Sequence, residues 1–270
     1  MIRTPLCDLL QIDHPIALGG MGSVYAPELV AAVSGAGGLG AMGCHYLTPE
    51  QVHVGTAAIR KLTNRPFALN FLLFDFEEDA FASALALRPA VIAFAWPSPE
   101  QDVKQYVERA HAAGCKVTFM AGGVPEAVRA AKAGADGVLL GTRFLASTES
   151  SLHPNFKQAI LDSDGHDTLL SEIPDVAAGL VWPGAMSRSR RNRFIERWAG
   201  REWALRQRQV EAKAALQAAR KTGEVEEAVL SMGQDAGLIH DIAPAAEIVT
   251  RIAEEAERIL TDRAARFIAK

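Results

Sequence analysis

The stretch AVIAFAWPSPEQDVKQYVERAHAAGCKVTFM, residues 90–120, decides the architecture. Two short apolar runs, Ala90 to Trp96 and Lys116 to Met120, flank a segment of helical periodicity from Pro99 to Ala113. The first run is continuously apolar, as expected of a strand buried on both faces of a parallel sheet. Gly114 stands where the helix gives way to the next strand and supplies the positive φ of a helix C-cap. Strand, helix and strand within about thirty residues make a βαβ unit.

The same unit recurs on both sides. Pro15 to Gly20, Gly38 to Met42, Phe67 to Leu73 and Gly137 to Leu140 read as further strands. Pro27 to Ala36, Pro49 to Leu62, Glu77 to Leu87 and Pro125 to Ala133 read as helices between them. Six strands alternating with helices predict an α/β fold, either a TIM-barrel-type (β/α) fold or a doubly wound sheet. From Thr148 the texture changes. A short helix is expected over Pro154 to Leu161, an irregular stretch over 165–184, and one long charged helix over Ser187 to Lys221. Gly233 to Gly237 breaks the pattern. Pro244 to Ala269 then carries Ala246, Val249, Ile252, Ala253, Ala256, Ile259 and Leu260 as an apolar stripe at helical spacing. The expected division is 1–147 for the barrel core, 148–230 for a helical excursion, and 231–270 for a segment and helix returning to the barrel.

Composition narrows the class. In 270 residues, 49% are hydrophobic and 22% charged, with a formal net charge of −4, which is ordinary for a globular enzyme. That charge argues against a protein that coats nucleic acid or an acidic membrane. No apolar run nears the roughly 18 residues of a spanning helix, and the first ten residues lack a signal-peptide pattern. Cys7, Cys44 and Cys115 form no CxxC pair, so neither a disulfide framework nor a metal site is indicated. The expectation is a reduced, cytoplasmic protein.

Glycines after strands mark the end of the sheet where such folds bind ligands. PIALGGMG (15–22) ends a strand in Gly19, Gly20 and Met21, where missing β-carbons let backbone amides approach a planar ligand, unless this is a plain tight turn. RPFALNFLL (65–73) places the polar amide of Asn70 inside an apolar strand, where it needs a partner or a ligand. In GADGVLLGTRFLAS (134–147), Gly141 and Thr142 follow a strand where the last barrel loops hold a phosphate.

These segments, with HAAGCKV (111–117) and GQDAGLI (233–239 with its flanking glycine), resemble the nitronate monooxygenase family, formerly called 2-nitropropane dioxygenases. They are also similar, less closely, to flavin-dependent enoyl reductases. The resemblance implies an FMN-binding barrel that oxidises alkyl nitronates with molecular oxygen. It implies that Gly19, Gly20 and Met21 line the isoalloxazine and that Asn70 contacts the ring or ribityl chain. Gly141 and Thr142 would bind the phosphate, and Gln234, Ala236 and Gly237 would close over the flavin.

The chain departs from that family in two ways. Six strands are countable where the family has eight, and one GADGV runs directly into LLGTRF, as if about two βα units were absent. AGGVPEAV (121–128) fits either the fifth strand and helix or a shortened phosphate loop; in the second reading Gly122 and Gly123 donate amides to the phosphate. The family's AGGH segment, whose histidine is the candidate polar partner of the nitronate, has no counterpart, so no catalytic residue is carried over. His45, just past the second strand on the ligand side, is within reach of substrate but reads first as a surface loop histidine. A sheet of six units would also keep two edges, which invites pairing with another copy.

Residues 188–208 hold eight arginines, interleaved with Phe194, Trp198 and Trp203. A nucleic-acid surface is one reading. With Glu196 and Glu202 in the run, a solvated or subunit-contacting helix is favoured.

Overall fold

A computed structural model describes residues 2–21, 24–75, 77–98, 101–119, 138–182 and 186–267. The chain divides into two compact units: Met1–Phe144 with Thr148–Ser150 and Ala243–Lys270, and Leu145–Ser147 with Ser151–Ile242.

The first unit carries six parallel strands: β1 (Ile16–Leu18), β2 (Gly40–Gly43), β3 (Phe67–Leu72), β4 (Val91–Ala95), β5 (Lys116–Phe119) and β6 (Val138–Leu140). β2, β3, β4 and β5 pair in that order, and β6 pairs with β1. Leu18 N–H donates to Leu39 O at 2.9 Å and Leu39 N–H to Ile16 O at 2.9 Å, which joins β1 to the start of β2. The row is therefore β6-β1-β2-β3-β4-β5. That is the cyclic order of a (β/α) barrel, with the last strand beside the first. Among the described residues, β5 pairs with β4 alone and β6 with β1 alone.

Helices α2 (Pro27–Gly35), α3 (Pro49–Leu62), α4 (Glu78–Leu87) and α5 (Val103–Ala112) connect the strands as the periodicity predicts. α3 starts at a capping box: Thr48 Oγ1 accepts from Gln51 N–H while the Gln51 side chain accepts from Thr48 N–H. α5 begins later than the expected Pro99, because the Asp102 carboxylate accepts from Lys104 N–H and caps the helix there. The helix expected over Pro125 to Ala133 lies outside the described residues.

The register sorts side chains to two faces. Ala41, Ala68 and Val91 stand abreast and share one face. A helix that periodicity missed, α1 (Pro5–Leu10), seals the amino end of that face. Its Cys7 and Leu10, with Ile12, form one buried cluster with Leu39, Ala41, Ala68 and Val91. Six residues are too few for helical spacing to register in a sequence. The opposite face holds the bulk: Phe71 and Phe94 pack edge-on against Phe81 of α4, with ring centroids 5.4 and 5.7 Å apart. The final helix, α12 (Ala245–Phe267), packs on α2.

In the second unit, α7 (Pro154–Leu161) follows expectation, after the one-turn α6 (Thr142–Leu145) that spans the division between units. The long charged helix does not form. Ser187–Arg190 is instead strand β8, paired antiparallel with β7 (Thr168–Ser171), and α8 (Ile173–Ala178) lies between them. SRSR alternates with period two, which is the signature of a strand. Helix then resumes in three pieces, α9 (Arg193–Trp198), α10 (Glu202–Gln207) and α11 (Gln209–Thr222). Gly200, at φ 73°, turns the chain between the first two. Asn192 starts α9: its Oδ1 accepts from Ile195 N–H at 3.0 Å, while Nδ2 donates to Val225 O at 2.6 Å and Ala228 O at 2.7 Å. Ile173, Val176, Phe194, Ile195, Leu205 and Leu216 form the core of this unit.

Candidate functional site

The face sealed by α1 at its amino end carries Asn70 toward its carboxyl end. Period two puts Asn70 on the face of Ala68, opposite Gly43 and Ala93. Asn70 is buried, and its Nδ2 donates to Ala93 O at 3.2 Å. The end of β1 closes onto it. A β-carbon at Gly20 would strike the Asn70 side chain, lying 2.5 Å from Asn70 Cβ and nearer still to Cγ and Oδ1. Only glycine permits that approach. On the other side, Gly19 N–H donates to Leu140 O at 2.9 Å, and a Gly19 β-carbon would stand 3.1 Å from Leu139 Cδ2 and 4.0 Å from Gly141 Cα. Gly141 itself faces open space. Thr142 is buried and opens the one-turn helix α6, whose first turn closes with Phe144 N–H donating to Gly141 O at 2.9 Å. Met21 is half-buried and accepts from Val24 N–H at 3.1 Å.

The ends of three strands thus form one rim, Gly141, then Gly19 and Gly20, then Asn70. These sequence-predicted site residues are brought together although they span 122 positions, from 19 to 141. The rim is backbone-rich, small and uncharged, which suits a flat ligand held by amides and one carboxamide.

Gln234, Ala236 and Gly237 lie in the second unit, on the 3₁₀ turn Gln234–Leu238. Ala236 is fully buried, and a β-carbon on Gly237 would strike Asp164 O, so this glycine packs against the Asp164–Gly165 turn. Gly122 and Gly123 lie outside the described residues.

His45 is not a surface residue. It is only 5% exposed, its ring lies 3.9 Å from that of Tyr46, and its Nδ1 has no hydrogen-bond partner among the described residues. Burial pushes its pKa down to about 4. Its neighbour Cys44 donates its N–H to Asn70 O at 2.8 Å and is fully buried, which pushes the thiol up to about 12. Sequence reasoning also missed Trp96. At the carboxyl end of β4 it adopts φ 52°, although a residue before proline is biased toward extended backbone. Nothing in the sequence signals that conformation.

The arginine run is largely spent on local pairing. Arg190 pairs with Asp167, Arg191 with Glu196, Arg193 and Arg197 with Glu227, Arg206 with Glu172, and Arg208 with Glu211. Among the described residues there is no group of three or more metal-binding side chains, and no helix is long and apolar enough to cross a membrane.

The strand order defines an α/β protein of the (β/α) barrel type. The chain belongs to the nitronate monooxygenase family, whose sequence profile matches residues 3–88 and 119–255. Among its relatives, the (3aS,4S,5R,7aS)-5-hydroxy-7a-methyl-1-oxo-octahydro-1H-indene-4-carboxyl-CoA dehydrogenase of Mycobacterium tuberculosis is 31% identical over 52% of this chain and 38% of its own length. A "Probable nitronate monooxygenase" of Staphylococcus saprophyticus is 36% identical over 27% of this chain and 20% of its own. The matches therefore span well under half of these relatives. Of solved structures, FabK from Thermotoga maritima superposes with a TM-score of 0.80 at 23% identity, covering 99% of this chain and 100% of that one. A nitroalkane oxidase from Streptomyces ansochromogenes superposes at 0.74 with 22% identity, covering 94% and 99%. Both likenesses establish the fold.

Proposed function

We propose that this protein binds FMN at the carboxyl ends of its parallel strands and oxidises alkyl nitronates with molecular oxygen. The observation that carries the reading is the rim of Gly141, Gly19, Gly20 and Asn70. A β-carbon at position 20 would fill the very space that the backbone and the Asn70 carboxamide share. A flavin needs such a cradle: flat, uncharged, and supplied with amide donors.

Gly19, Gly20 and Met21 would hold the ring, with Asn70 beside it as a polar contact. Gly141 and Thr142, next to open space, would take the phosphate. The second stretch matched by the family profile starts at residue 119, so it contains both AGGV and GTRFLAS. By the family resemblance, Gly122 and Gly123 would add amides to the same phosphate. Gln234, Ala236 and Gly237 would complete the flavin's surroundings.

Bound FMN supplies the electron transfer between nitronate and oxygen. The substrate is already an anion, so the chain need not remove a proton. Its residues bind, orient and exclude water. This explains how the reaction tolerates the absence of the family's AGGH histidine.

A second reading is a flavin-dependent reductase of an enoyl thioester, favoured by the CoA dehydrogenase relative at 31% identity. A third is a shortened family member without activity. Three measurements on purified protein separate them. Flavin absorption bands, with oxygen uptake driven by a nitronate without NAD(P)H, support the first. NAD(P)H oxidation dependent on an enoyl thioester replaces it with the second. Colourless protein that fails to take up added FMN leaves the third. We further propose a cytoplasmic protein that pairs with another copy through its sheet edges; sedimentation tests the pairing.

A further inference from the structure

The strand order sets β2 between β1 and β3, and the ends of β1 and β3 carry Gly20 and Asn70. Cys44 N–H on Asn70 O extends the β2–β3 ladder one step past the strand, and His45 comes next. Its residue is 5% exposed, and Nδ1 has neither solvent nor a hydrogen-bond partner. Leaving such a group unpaired forfeits the hydrogen bond it would make in water. Buried polar atoms of this kind are few, and each calls for a partner.

Among the described residues of this unit, the other unpartnered buried side-chain polar atoms are His14 Nδ1 and Thr56 Oγ1. His14 precedes β1 at the amino ends of the strands, and Thr56 sits in the middle of α3. His45 alone stands at the carboxyl ends, where the rim is. With its pKa driven down by burial, it is a neutral imidazole at pH 7, able to donate one N–H without bringing a charge into the site.

We propose that His45 is a substrate-contact residue of this site, its Nδ1–H donating a hydrogen bond to a negatively charged oxygen of the bound substrate. The proposal rests on the FMN–nitronate reading. It supplies, from the end of β2, the polar contact that the missing AGGH segment does not.

The test uses the full chain reconstituted with FMN and three variants. His45→Phe keeps a ring and removes the donor. His45→Asn keeps an N–H near the position of Nδ1, and His45→Gln moves it outward. Two quantities are read: FMN affinity by absorbance titration, and KM for ethyl nitronate. We expect FMN affinity within about threefold of the parent in all three variants. KM should rise about tenfold or more in His45→Phe, and His45→Asn should recover most of that loss while His45→Gln recovers less. A contact to charged oxygen is worth at least this much. Unchanged KM in His45→Phe, with the parent protein active, overturns the role of His45 and leaves the FMN–nitronate reading standing. A His45→Phe protein that loses FMN affinity while keeping its KM moves the contact to the flavin and also overturns the proposal. A parent protein that binds FMN but ignores ethyl nitronate overturns both.

Discussion

Replacing Gly20 by alanine adds one methyl group where the Asn70 side chain already stands. The new carbon would lie 2.5 Å from Asn70 Cβ, so rotating the carboxamide away does not relieve the clash. Backbone must shift as well. Overpacking of this kind costs about 1–3 kcal/mol, and displacing Asn70 forfeits its bond to Ala93 O, worth about 1–3 kcal/mol when buried. Against these, alanine restricts the unfolded chain and returns up to about 1 kcal/mol. Gly20→Ala should therefore destabilise by about 1–6 kcal/mol. The Gly20–Asn70 packing makes a sharper demand. In an Asn70→Ala background, the β-carbon at position 70 remains and most of the overpacking penalty should persist. In an Asn70→Gly background, the added cost of Gly20→Ala should fall below about 1 kcal/mol. Urea denaturation of the six proteins, read as midpoint and slope, measures the coupling. Equal costs of Gly20→Ala in the parent and in the Asn70→Gly background would refute the packing of β1 against β3. FMN titration of Gly20→Ala provides the functional arm, with affinity expected to fall at least tenfold.

Three further outcomes are expected. His45 has a folded pKa of about 4 against an ordinary 6.5, so the unfolded chain binds its proton at higher pH than the folded one. Its contribution is complete above about pH 6.5 and is lost as pH falls toward 4, up to roughly 3 kcal/mol in all. The drop in urea midpoint over that window should be smaller in His45→Asn, and an identical drop would contradict the burial of the imidazole. Asn192→Ala removes three hydrogen bonds, one that caps α9 and two that tie its start to residues 225 and 228, and should cost about 2–4 kcal/mol in thermal or urea unfolding. Finally, Cys7, Cys44 and Cys115 are all buried, so a thiol reagent at mildly alkaline pH should modify none of them in the native protein and all three in denaturant; fast native labelling of Cys44 would be inconsistent with its enclosure.

The chain by itself determined what depends on neighbours within a few residues. Largely apolar runs marked the strands, because parallel strands buried on both faces leave little polar alternation, although β5 carries Lys116 and Thr118. Pro49 opened the segment read as α3, and the glycines after Leu18 and Leu140 marked the ends that carry the rim. Local reading failed where length or spacing was too short to show a period, as in α1. It failed again where arginine content suggested one helix but Ser-Arg alternation and Gly200 dictated a strand and three pieces. What only the tertiary structure decided was pairing across long stretches of chain. That β6 lies beside β1, and not merely after β5, follows from hydrogen bonds between residues 16–18 and 138–140 that no local pattern encodes. The same is true of the site. Glycine at position 20 is legible as permission for close approach, but that Asn70 is what approaches is known only from β1 and β3 flanking β2. His45 shows the limit most plainly: its position after a strand was readable, whereas its burial and unpartnered Nδ1 depend on every element packed around it.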